Sequence, residues 1–224
     1  MSDDPRYLAE TRAAYDTVAA SYAALLADDL AGNPFDRAAL GLYAELAHAT
    51  AADGAKPRVA EVGSGPGRIT AYLASLGLDA SGIDLSPGMV AEARRRHPGI
   101  GFTVGSMTEL DLPEGRLDGI VAWYSVIHVP PAEHRAVYAG FRRALKPGGH
   151  VLLAFHVGGE KREITDAYGH AGLRYDAYRL QPDRVEADLA AAGFAHVARH
   201  THAPIGMEKS AQAYVIARTL PSVS

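Results

Sequence analysis

Apolar side chains recur at intervals of three and four in the first fifty residues, which is the period of an amphipathic helix. One stripe runs over residues 15–26 and a second over residues 40–47. A Gly-Asn-Pro segment at residues 32–34 interrupts the pattern. Asp36 is suited to cap the second helix. The sequence therefore predicts helices over residues 7–52.

After residue 57 the pattern changes to short apolar runs that alternate with helical segments. Short apolar runs bounded by turn residues are typical of buried strands, and their alternation with helices indicates a parallel sheet. The sequence therefore predicts an α/β fold. The predicted strands are 58–62, 79–84, 100–104, 117–123 and 151–156, and the predicted helices are 69–76, 88–96, 132–145 and 181–192.

The periodicity weakens between residues 157 and 180, where the chain is rich in Gly, His and Tyr. We expect an irregular insertion there. Long irregular segments that follow a strand often carry function, which makes Tyr168 and His170 candidate substrate contacts. Two further apolar runs, at 195–203 and 211–219, are predicted to be the last strands.

Composition limits the classes of function that fit this chain. Its 224 residues carry a formal net charge of −4, which disfavours a nucleic-acid substrate held through phosphate contacts. There is no cysteine, so disulfides and thiolate chemistry are excluded. No apolar run approaches the roughly 20 residues that span a bilayer. The polar start at residues 1–6 does not resemble a secretory signal, and we expect a cytoplasmic location.

A glycine-rich turn joins the strand predicted at 58–62 to the helix that follows it. Glu61 precedes glycines at positions 63, 65 and 67. Glycine there allows a positive φ and lets a ligand approach the backbone without meeting a Cβ atom. Open α/β sheets bind ligands at the carboxyl ends of their strands. Glycine-rich turns also close ordinary hairpins, so the turn alone leaves both interpretations open.

The second predicted strand ends in a carboxylate, Asp84, which lies 21 positions after Gly63. This matches the offset of about 20 residues at which an acidic residue binds ribose hydroxyls in βαβ nucleotide sites. The alternative role is a helix N-cap, but Ser86-Pro87 is able to begin that helix without Asp84. We therefore interpret Asp84 as a ribose ligand.

A nicotinamide dinucleotide is a competing ligand for the same turn. Its fingerprint, G-x-G-x-x-G, would require glycine at position 68 when counted from Gly63. Arg68 stands there, and no Tyr-x-x-x-Lys pair is present. The dehydrogenase interpretation is therefore disfavoured, although it shares the predicted βαβ start.

Four side chains with useful chemistry fall at or just after the predicted ends of the fourth and fifth strands: Trp123, Tyr124, His128 and His156. The aromatic rings suit a planar acceptor. A histidine near its unperturbed pKa of about 6.5 accepts a hydroxyl or amine proton at neutral pH, which makes both histidines candidate catalytic bases. Either histidine could instead have a structural role.

The motifs, taken in order, resemble those of the class I S-adenosylmethionine-dependent methyltransferases. They are the Glu61 and glycine turn, Asp84, Gly105-Ser106, Asp118, His128-Val129 and the Leu-Lys-Pro-Gly-Gly run at 145–149, whose last four residues also predict a tight turn. In this family a Tyr-Asp-x-x-Ala-x-x-Tyr segment, here at residues 15–22, often covers the active site. Packing in the core is the alternative role of Tyr15 and Tyr22.

The resemblance implies a Rossmann-like, seven-stranded and mostly parallel sheet with helices on both faces and an N-terminal helical lid. It also implies S-adenosyl-L-methionine as cofactor, with Ser106 and Met107 beside the adenine. Many relatives have Asp at the position of Ser106. The resemblance and the sequence pattern of strands and turns together give these expected cofactor contacts: Tyr15, Tyr22, Glu61, Gly63, Ser64, Gly65, Gly67, Asp84, Leu85, Met89, Ser106, Met107, Ala122 and Trp123.

We expect one methyltransferase domain over residues 1–224, with a helical lid at 1–55 and a Rossmann-like core at 56–224 that carries the 157–180 insertion. The expected reaction is O- or N-methylation of a small molecule, with Tyr124, Tyr168 and His170 at the acceptor. We expect no metal, nucleic-acid or membrane partner, and a monomer or homodimer. A non-catalytic protein that binds S-adenosylmethionine is the alternative, because Ser106 departs from the family pattern.

Overall fold

The computed structural model describes residues 5–52, 54–206 and 208–220. Part of the polar start at 1–6 thus lies outside the described residues. The helices are α1 Arg6–Leu25, α2 Asp29–Gly32, α3 Pro34–Thr50, α4 Arg68–Ser75, α5 Pro87–Arg96, α6 His134–Ala144 and α7 Pro182–Ala191. The strands are β1 Arg58–Val62, β2 Asp79–Asp84, β3 Gly101–Val104, β4 Leu117–Trp123, β5 Leu145–His156, β6 Lys161–Ala167, β7 His170–Tyr178, β8 Phe194–His202 and β9 Gln212–Thr219.

Seven of these strands form one sheet in the order β3-β2-β1-β4-β5-β9-β8. The pairs from β3 to β5 are parallel, and β9 is antiparallel to both β5 and β8. This is the expected α/β, Rossmann-like sheet, and the prediction is confirmed. The order reverses between β1 and β4, so the first glycine turn lies at the point where such sheets bind ligands.

Helices cover both faces of the sheet. On one face, Val137 and Phe141 of α6 pack with Leu189 of α7 in a buried cluster. On the other, Leu40 of α3 packs with Ile69 of α4. The apolar runs of the central strands are buried on both sides, which explains why they carry no polar alternation.

Helix α3 approaches strand β4 very closely. A Cβ atom added to Gly119 would lie 2.0 Å from the hydroxyl oxygen of Tyr43, so only glycine fits at that position. Tyr43 is fully buried by this contact. Helix α3 is therefore part of the core, whereas the sequence had suggested a lid over the whole of 1–55.

The start of α3 differs from the prediction for Asp36. Asn33 caps the helix, because its side-chain oxygen accepts hydrogen bonds from Phe35 N at 3.1 Å and Asp36 N at 3.2 Å. Asp36 is instead buried and accepts a hydrogen bond of 2.5 Å from the Tyr214 hydroxyl. Burial raises the pKa of Asp36 to about 6. The assignment of Asp36 as the cap was wrong because Pro34 occupies the first helical position, which moves the cap three residues earlier, to Asn33.

Residues 157–180 are not irregular, contrary to expectation. Strands β6 and β7 pair in an antiparallel hairpin, separate from the main sheet. Tyr168 and Gly169 form its tip, and both have a positive φ, +53° and +82°. The hairpin was missed because it contacts helix α1 through few apolar side chains, chiefly Ile164 of β6 and Leu173 and Tyr175 of β7, which are too few to make a clear alternating run.

The tight turn predicted at 146–149 also differs. Strand β5 begins at Leu145, and its pairing with β4 shifts register before His150. Gly148 takes a φ of +81° within this irregular stretch. The glycine chemistry was thus identified correctly, but it makes a bulge in the strand and not a break before it.

Helix α1 lies across the carboxyl end of the sheet. Its inner face, which includes Val18 and Ala19, packs on Met89 of α5 and on Leu173 and Tyr175 of the hairpin. In the part of the chain that the structure describes, no helix combines the length and apolarity needed to cross a membrane.

Candidate active site

The glycine turn after β1 adopts a backbone that requires glycine. Gly63 and Gly65 have φ values of +79° and +52°. The amide groups of Gly63 and Ser64 both donate to the carbonyl of Ile83, at 2.7 and 3.0 Å, which fastens the turn to strand β2. A Cβ atom at Gly63 would lie 2.2 Å from the Cβ atom of Ser125. The turn therefore presents bare backbone to the space in front of it.

Asp84 is held at the end of β2 by two backbone amides. Gly65 N donates to one carboxylate oxygen at 2.7 Å, and Ser86 N donates to the other at 2.8 Å. Each oxygen keeps a lone pair that these amides do not use, and Asp84 lines the cavity. The arrangement is able to accept two further hydrogen bonds from a diol.

Burial raises the pKa of Asp84 to about 6, with the charge of Asp16 as a smaller contribution. The amides of Ser86 and Gly65 oppose this shift, because they stabilise the charged form. Asp84 is thus ionised at neutral pH, where it accepts hydrogen bonds, and it becomes protonated as the pH falls below about 6.

Helix α1 closes over this carboxylate through Asp16. One Asp16 oxygen accepts from the Ser86 hydroxyl at 2.5 Å and from Gly88 N at 2.8 Å. Gly88 lies in the first turn of α5, where a helix favours negative charge. Asp16 therefore links the lid to the loop that holds Asp84.

A second link joins the lid to His128. The Tyr15 hydroxyl lies 2.8 Å from His128 Nε2, and His128 Nδ1 lies 2.9 Å from the carbonyl of Asp176. A carbonyl only accepts, so His128 carries its proton on Nδ1 and accepts from Tyr15 on Nε2. Both nitrogens are occupied. Three elements, α1, the loop after β4 and β7, meet at this histidine.

Burial lowers the pKa of His128 to about 4. The expectation of an unperturbed pKa near 6.5 is wrong, because the ring is enclosed by the aromatic rings of Tyr15 and Tyr175. His128 is therefore neutral at pH 7. Its bond with Tyr15 must break before Nε2 accepts another proton.

Tyrosines line the inner side of the lid and hairpin. Tyr22 makes an edge contact with Tyr168, with ring centroids 4.8 Å apart, and Tyr15 lies 5.4 Å from Tyr175. The Ser21 hydroxyl contacts His170 Nε2 at 3.0 Å. Tyr168 and His170 thus support the lid from behind.

The end of strand β4 provides the opposite wall. Tyr124 has a φ of +50°, which is unusual for a residue other than glycine. Backbone strain of this kind costs free energy and recurs at functional sites. The Trp123 ring stacks on Tyr214 with centroids 5.5 Å apart, and Tyr124 lies 4.9 Å from His156. His156 Nδ1 bonds to the side-chain oxygen of Gln212 at 2.7 Å, and burial lowers the pKa of His156.

These elements enclose one cavity, and twelve of the predicted site residues line it. They are Tyr15, Tyr22, Gly63, Gly65, Asp84, Leu85, Met89, Ser106, Met107, Trp123, Tyr124 and His128. Seven other lining residues were not among the expected contacts, although Gly105 and Val129 belong to the motifs that carry the resemblance: Leu8, Thr11, Arg12, Ser86, Gly105, Ser125 and Val129. The helical period was a usable signal for Thr11, which lies one turn before Tyr15 on the same face.

Seven predicted residues do not line the cavity: Glu61, Ser64, Gly67, Ala122, His156, Tyr168 and His170. Gly67 is needed for packing, because a Cβ atom there would lie 2.6 Å from the ring of Phe102. Glu61 is buried behind the turn and accepts a hydrogen bond from the Thr70 hydroxyl. Burial raises the pKa of Glu61 to about 8.

Sequence comparisons match the segment of the chain that contains the glycine turn after β1. The family model described as a methyltransferase domain matches residues 59–149. Demethylmenaquinone methyltransferase of Beutenbergia cavernae is 36% identical over 103 residues, which cover 45% of this chain and 42% of that protein. Trans-aconitate 2-methyltransferase of Methylobacterium nodulans is 38% identical over 97 residues, which cover 42% and 36%. The matched segment spans less than half the length of these curated relatives.

Solved structures extend the likeness across nearly the whole chain. Magnesium protoporphyrin IX methyltransferase from Synechocystis, crystallised with S-adenosylmethionine, has a TM-score of 0.71 at 16% identity over 98% of this chain and 100% of that one. The 1,6-didemethyltoxoflavin-N1-methyltransferase of Burkholderia thailandensis, crystallised with 1,6-didemethyltoxoflavin and S-adenosylhomocysteine, has a TM-score of 0.68 at 23% identity, over 97% of this chain and 93% of that one. At such identities the likeness shows the fold. The resemblance to class I S-adenosylmethionine-dependent methyltransferases is thus confirmed, in sequence over residues 59–149 and in fold over nearly the whole chain.

Proposed function

We propose that this protein is a methyltransferase that moves the methyl group of S-adenosylmethionine to an oxygen or nitrogen atom of a small, planar acceptor. The observation that carries the proposal is the pairing of a bare glycine turn with Asp84, whose two oxygens are each held by one backbone amide beneath a helical lid. The relatives named above are methyltransferases, which supports the same reaction class.

The residues of the cavity fit this cofactor. Gly63 and Gly65 line the cavity with backbone alone, and the free lone pairs of Asp84 match a ribose diol. Two buried polar atoms of the lining, Thr11 Oγ1 and Trp123 Nε1, have no hydrogen-bond partner within the described part of the chain. Such atoms are costly to leave unpaired, so a polar ligand in this cavity suits the site.

S-adenosylmethionine, when bound, supplies a methyl group on a positively charged sulfur, which is already activated for displacement. The protein residues therefore have to position the two reactants, and good alignment contributes about 7–11 kcal/mol to such a reaction. In this proposal Asp84 orients the ribose, α1 excludes water through Tyr15 and Tyr22, and Trp123 and Tyr124 form the flat wall for the acceptor.

An acceptor that enters the site protonated needs a base to remove its proton. The sequence indicated His128 and His156 as candidate proton acceptors, but the low pKa of His128 and its bond to Tyr15 oppose that role in the closed site. An acceptor that enters with its nucleophilic lone pair already free needs no base. We therefore propose that positioning dominates the rate and that His128 chiefly orients Tyr15.

Calorimetry with S-adenosylhomocysteine tests the cofactor assignment. We expect the wild-type protein to bind it and to ignore NAD. Asp84→Ala removes an ionised acceptor of two hydrogen bonds, each worth about 1.5–3 kcal/mol, so its affinity should be at least about tenfold weaker. Asp79→Ala, at the exposed start of the same strand, is the matched control and should bind as the wild type does.

Unchanged affinity in Asp84→Ala would remove this residue from the site. Binding of NAD in preference to S-adenosylhomocysteine would favour the oxidoreductase alternative. A protein that binds the cofactor but forms no S-adenosylhomocysteine from S-adenosylmethionine with any of a panel of aromatic hydroxyl and amine acceptors would be the non-catalytic binder.

A further inference from the structure

Thr11 has an unusual environment for a helical threonine. Its side chain is 7% exposed and lines the cavity, yet its hydroxyl has no hydrogen-bond partner within residues 5–52, 54–206 and 208–220. Threonine in a helix commonly donates to the carbonyl four residues earlier. Thr17 of the same helix does so, to Ala13 at 2.8 Å. Thr11 is thus a buried polar group that the protein itself leaves unsatisfied, at a cost of about 1–3 kcal/mol.

The position of Thr11 over the cavity is fixed by its neighbours on α1. Asp16 sets the helix along its axis through Gly88 N, and the bond from Tyr15 to His128 sets its rotation. Thr11 lies four residues before Tyr15, so both side chains point from the same face, about 6 Å apart along the axis. The hydroxyl is therefore held toward the cavity, which it shares with Met107.

Ser106, the residue that the family resemblance assigns to the adenine, is already engaged. Its hydroxyl accepts from Thr108 N at 3.2 Å and shares a second hydrogen bond of 2.7 Å with the Thr108 hydroxyl. A hydroxyl has one proton and two lone pairs, so Ser106 keeps at most one lone pair for a ligand. Its first use is to cap the short helix Met107–Glu109. The loop after β3 therefore lacks the carboxylate of many relatives, whereas the cavity that it lines contains the unsatisfied hydroxyl of Thr11.

We propose that Thr11 binds the nucleobase of the cofactor: its hydroxyl accepts a hydrogen bond from the exocyclic amino group of the adenine when α1 is closed. The inference rests on the proposed function, since it presumes an adenosyl cofactor. It shifts recognition of the base from the loop after β3 to the lid. Closure of α1 then depends on the base that is bound, and Thr11 becomes a specificity-determining residue.

The test compares two ligands and three proteins by calorimetry. The ligands are S-adenosylhomocysteine and its analogue in which hydrogen replaces the 6-amino group of the purine. The proteins are the wild type, Thr11→Val, which keeps the shape and removes the hydroxyl, and Thr17→Val, which loses a threonine hydroxyl on the exposed face of the same helix.

We expect Thr11→Val to bind S-adenosylhomocysteine about 2- to 12-fold more weakly, which corresponds to one neutral hydrogen bond of about 0.5–1.5 kcal/mol. It should bind the analogue as tightly as the wild type does, within twofold. Thr17→Val should match the wild type with both ligands. Without ligand, Thr11→Val should unfold at the same or a higher temperature, because it removes an unpaired buried hydroxyl.

An equal loss for both ligands in Thr11→Val would overturn the proposal, since the hydroxyl would then act on another part of the ligand or on packing alone. Unchanged affinity for S-adenosylhomocysteine would overturn it as well. If the wild type does not bind S-adenosylhomocysteine at all, the proposed function fails together with this inference. If the wild type binds it but Thr11→Val gives either of the results above, only this inference fails.

Discussion

The cavity has two walls that are built in different ways. The sheet wall consists of the glycine turn and Asp84, and backbone amides hold it in place, such as Gly65 N on the Asp84 carboxylate. The lid wall consists of α1, which the hairpin supports, and it is held by side chains, such as Asp16 on Gly88 N and Tyr15 on His128. Removing a side chain therefore loosens the lid wall without altering the backbone of the sheet wall.

The two walls differ in how easily they move. A wall made of buried backbone has one geometry, because shifting it breaks the sheet. A wall made of a few polar contacts and tyrosine rings is able to open at a modest cost, which ligand entry and release require. We expect the sheet wall to set affinity for the donor and the lid wall to set access.

The largest expected effect comes from comparing two glycines with similar backbone angles, one in the sheet wall and one in the hairpin that supports the lid wall. Gly63 and Gly172 have φ values of +79° and +76°, but an added Cβ atom meets Ser125 at 2.2 Å in the first case and nothing within 4 Å in the second. Strain from a positive φ costs about 1–2 kcal/mol in both, and overpacking adds about 1–3 kcal/mol at Gly63 alone.

Urea unfolding should therefore show Gly63→Ala to be destabilised by about 2–5 kcal/mol and Gly172→Ala by about 1–2 kcal/mol. Gly172→Ala serves as the matched control for the backbone term. Equal losses in the two variants would mean that the sheet wall yields as readily as the hairpin, and the comparison would fail.

A smaller effect should come from pH, through Glu61 behind the glycine turn. Its pKa rises from 4.5 to about 8 on folding because of burial, so the folded protein retains a proton that the unfolded chain has lost. The stability that this proton contributes is complete below about pH 4.5 and is lost as the pH rises through about 8. The free energy of unfolding should fall by about 1–2 kcal/mol more in the wild type than in Glu61→Gln between pH 6 and 8.

Unfolding curves at pH 6, 7 and 8 measure this difference. Glu61→Gln is the informative variant, because its amide oxygen still accepts from the Thr70 hydroxyl while it has no proton to lose. Parallel pH dependence in the two proteins would show that Glu61 stays charged in the fold and that the sheet wall contains a buried carboxylate.

The smallest effect should come from Asp16→Ala in the lid wall. It removes two hydrogen bonds to an exposed carboxylate, so closure should weaken by about 1 kcal/mol after allowance for solvent. We expect faster amide hydrogen exchange over residues 6–25 and a few-fold weaker binding of S-adenosylhomocysteine, with the stability of the sheet unchanged. Asp28→Ala, beyond the end of the same helix, is the control; exchange in Asp16→Ala as slow as in that control would assign the lid to apolar packing alone.

The sheet wall was largely predictable from the sequence. Strands β1, β2 and β4 begin and end as expected, because buried runs bounded by glycine and proline leave few alternatives. The position of Asp84 at the end of β2 and in the cavity lining agrees with its spacing in the sequence, since the length of one βα unit fixes where the next strand ends. Its role as a ribose ligand stays a prediction. Sequence pattern and spacing are enough to predict a wall that is built from the backbone of neighbouring strands and turns.

The lid wall was only partly predictable. The helix with Tyr15 and Tyr22 was expected, but the hairpin behind it and the engagement of His128 by Asp176 were not, because they depend on pairing between residues 48 positions apart. The low pKa of His128 follows from the same enclosure. Sequence spacing reports neither which rings surround a histidine nor how far water is kept from it.

The contact between Gly119 and Tyr43 also constrains how this chain recombines with its relatives. Because the tyrosine hydroxyl occupies the space of a missing Cβ atom, α3 and β4 are a matched pair, although 76 positions separate the two residues. A chimera that joins residues 1–55 of this chain to the sheet of a relative breaks this match whenever that relative has a side chain at the position of Gly119. The crossover point that keeps the match lies before α3, so α1 is inherited as a separable module while α3 passes on with the sheet.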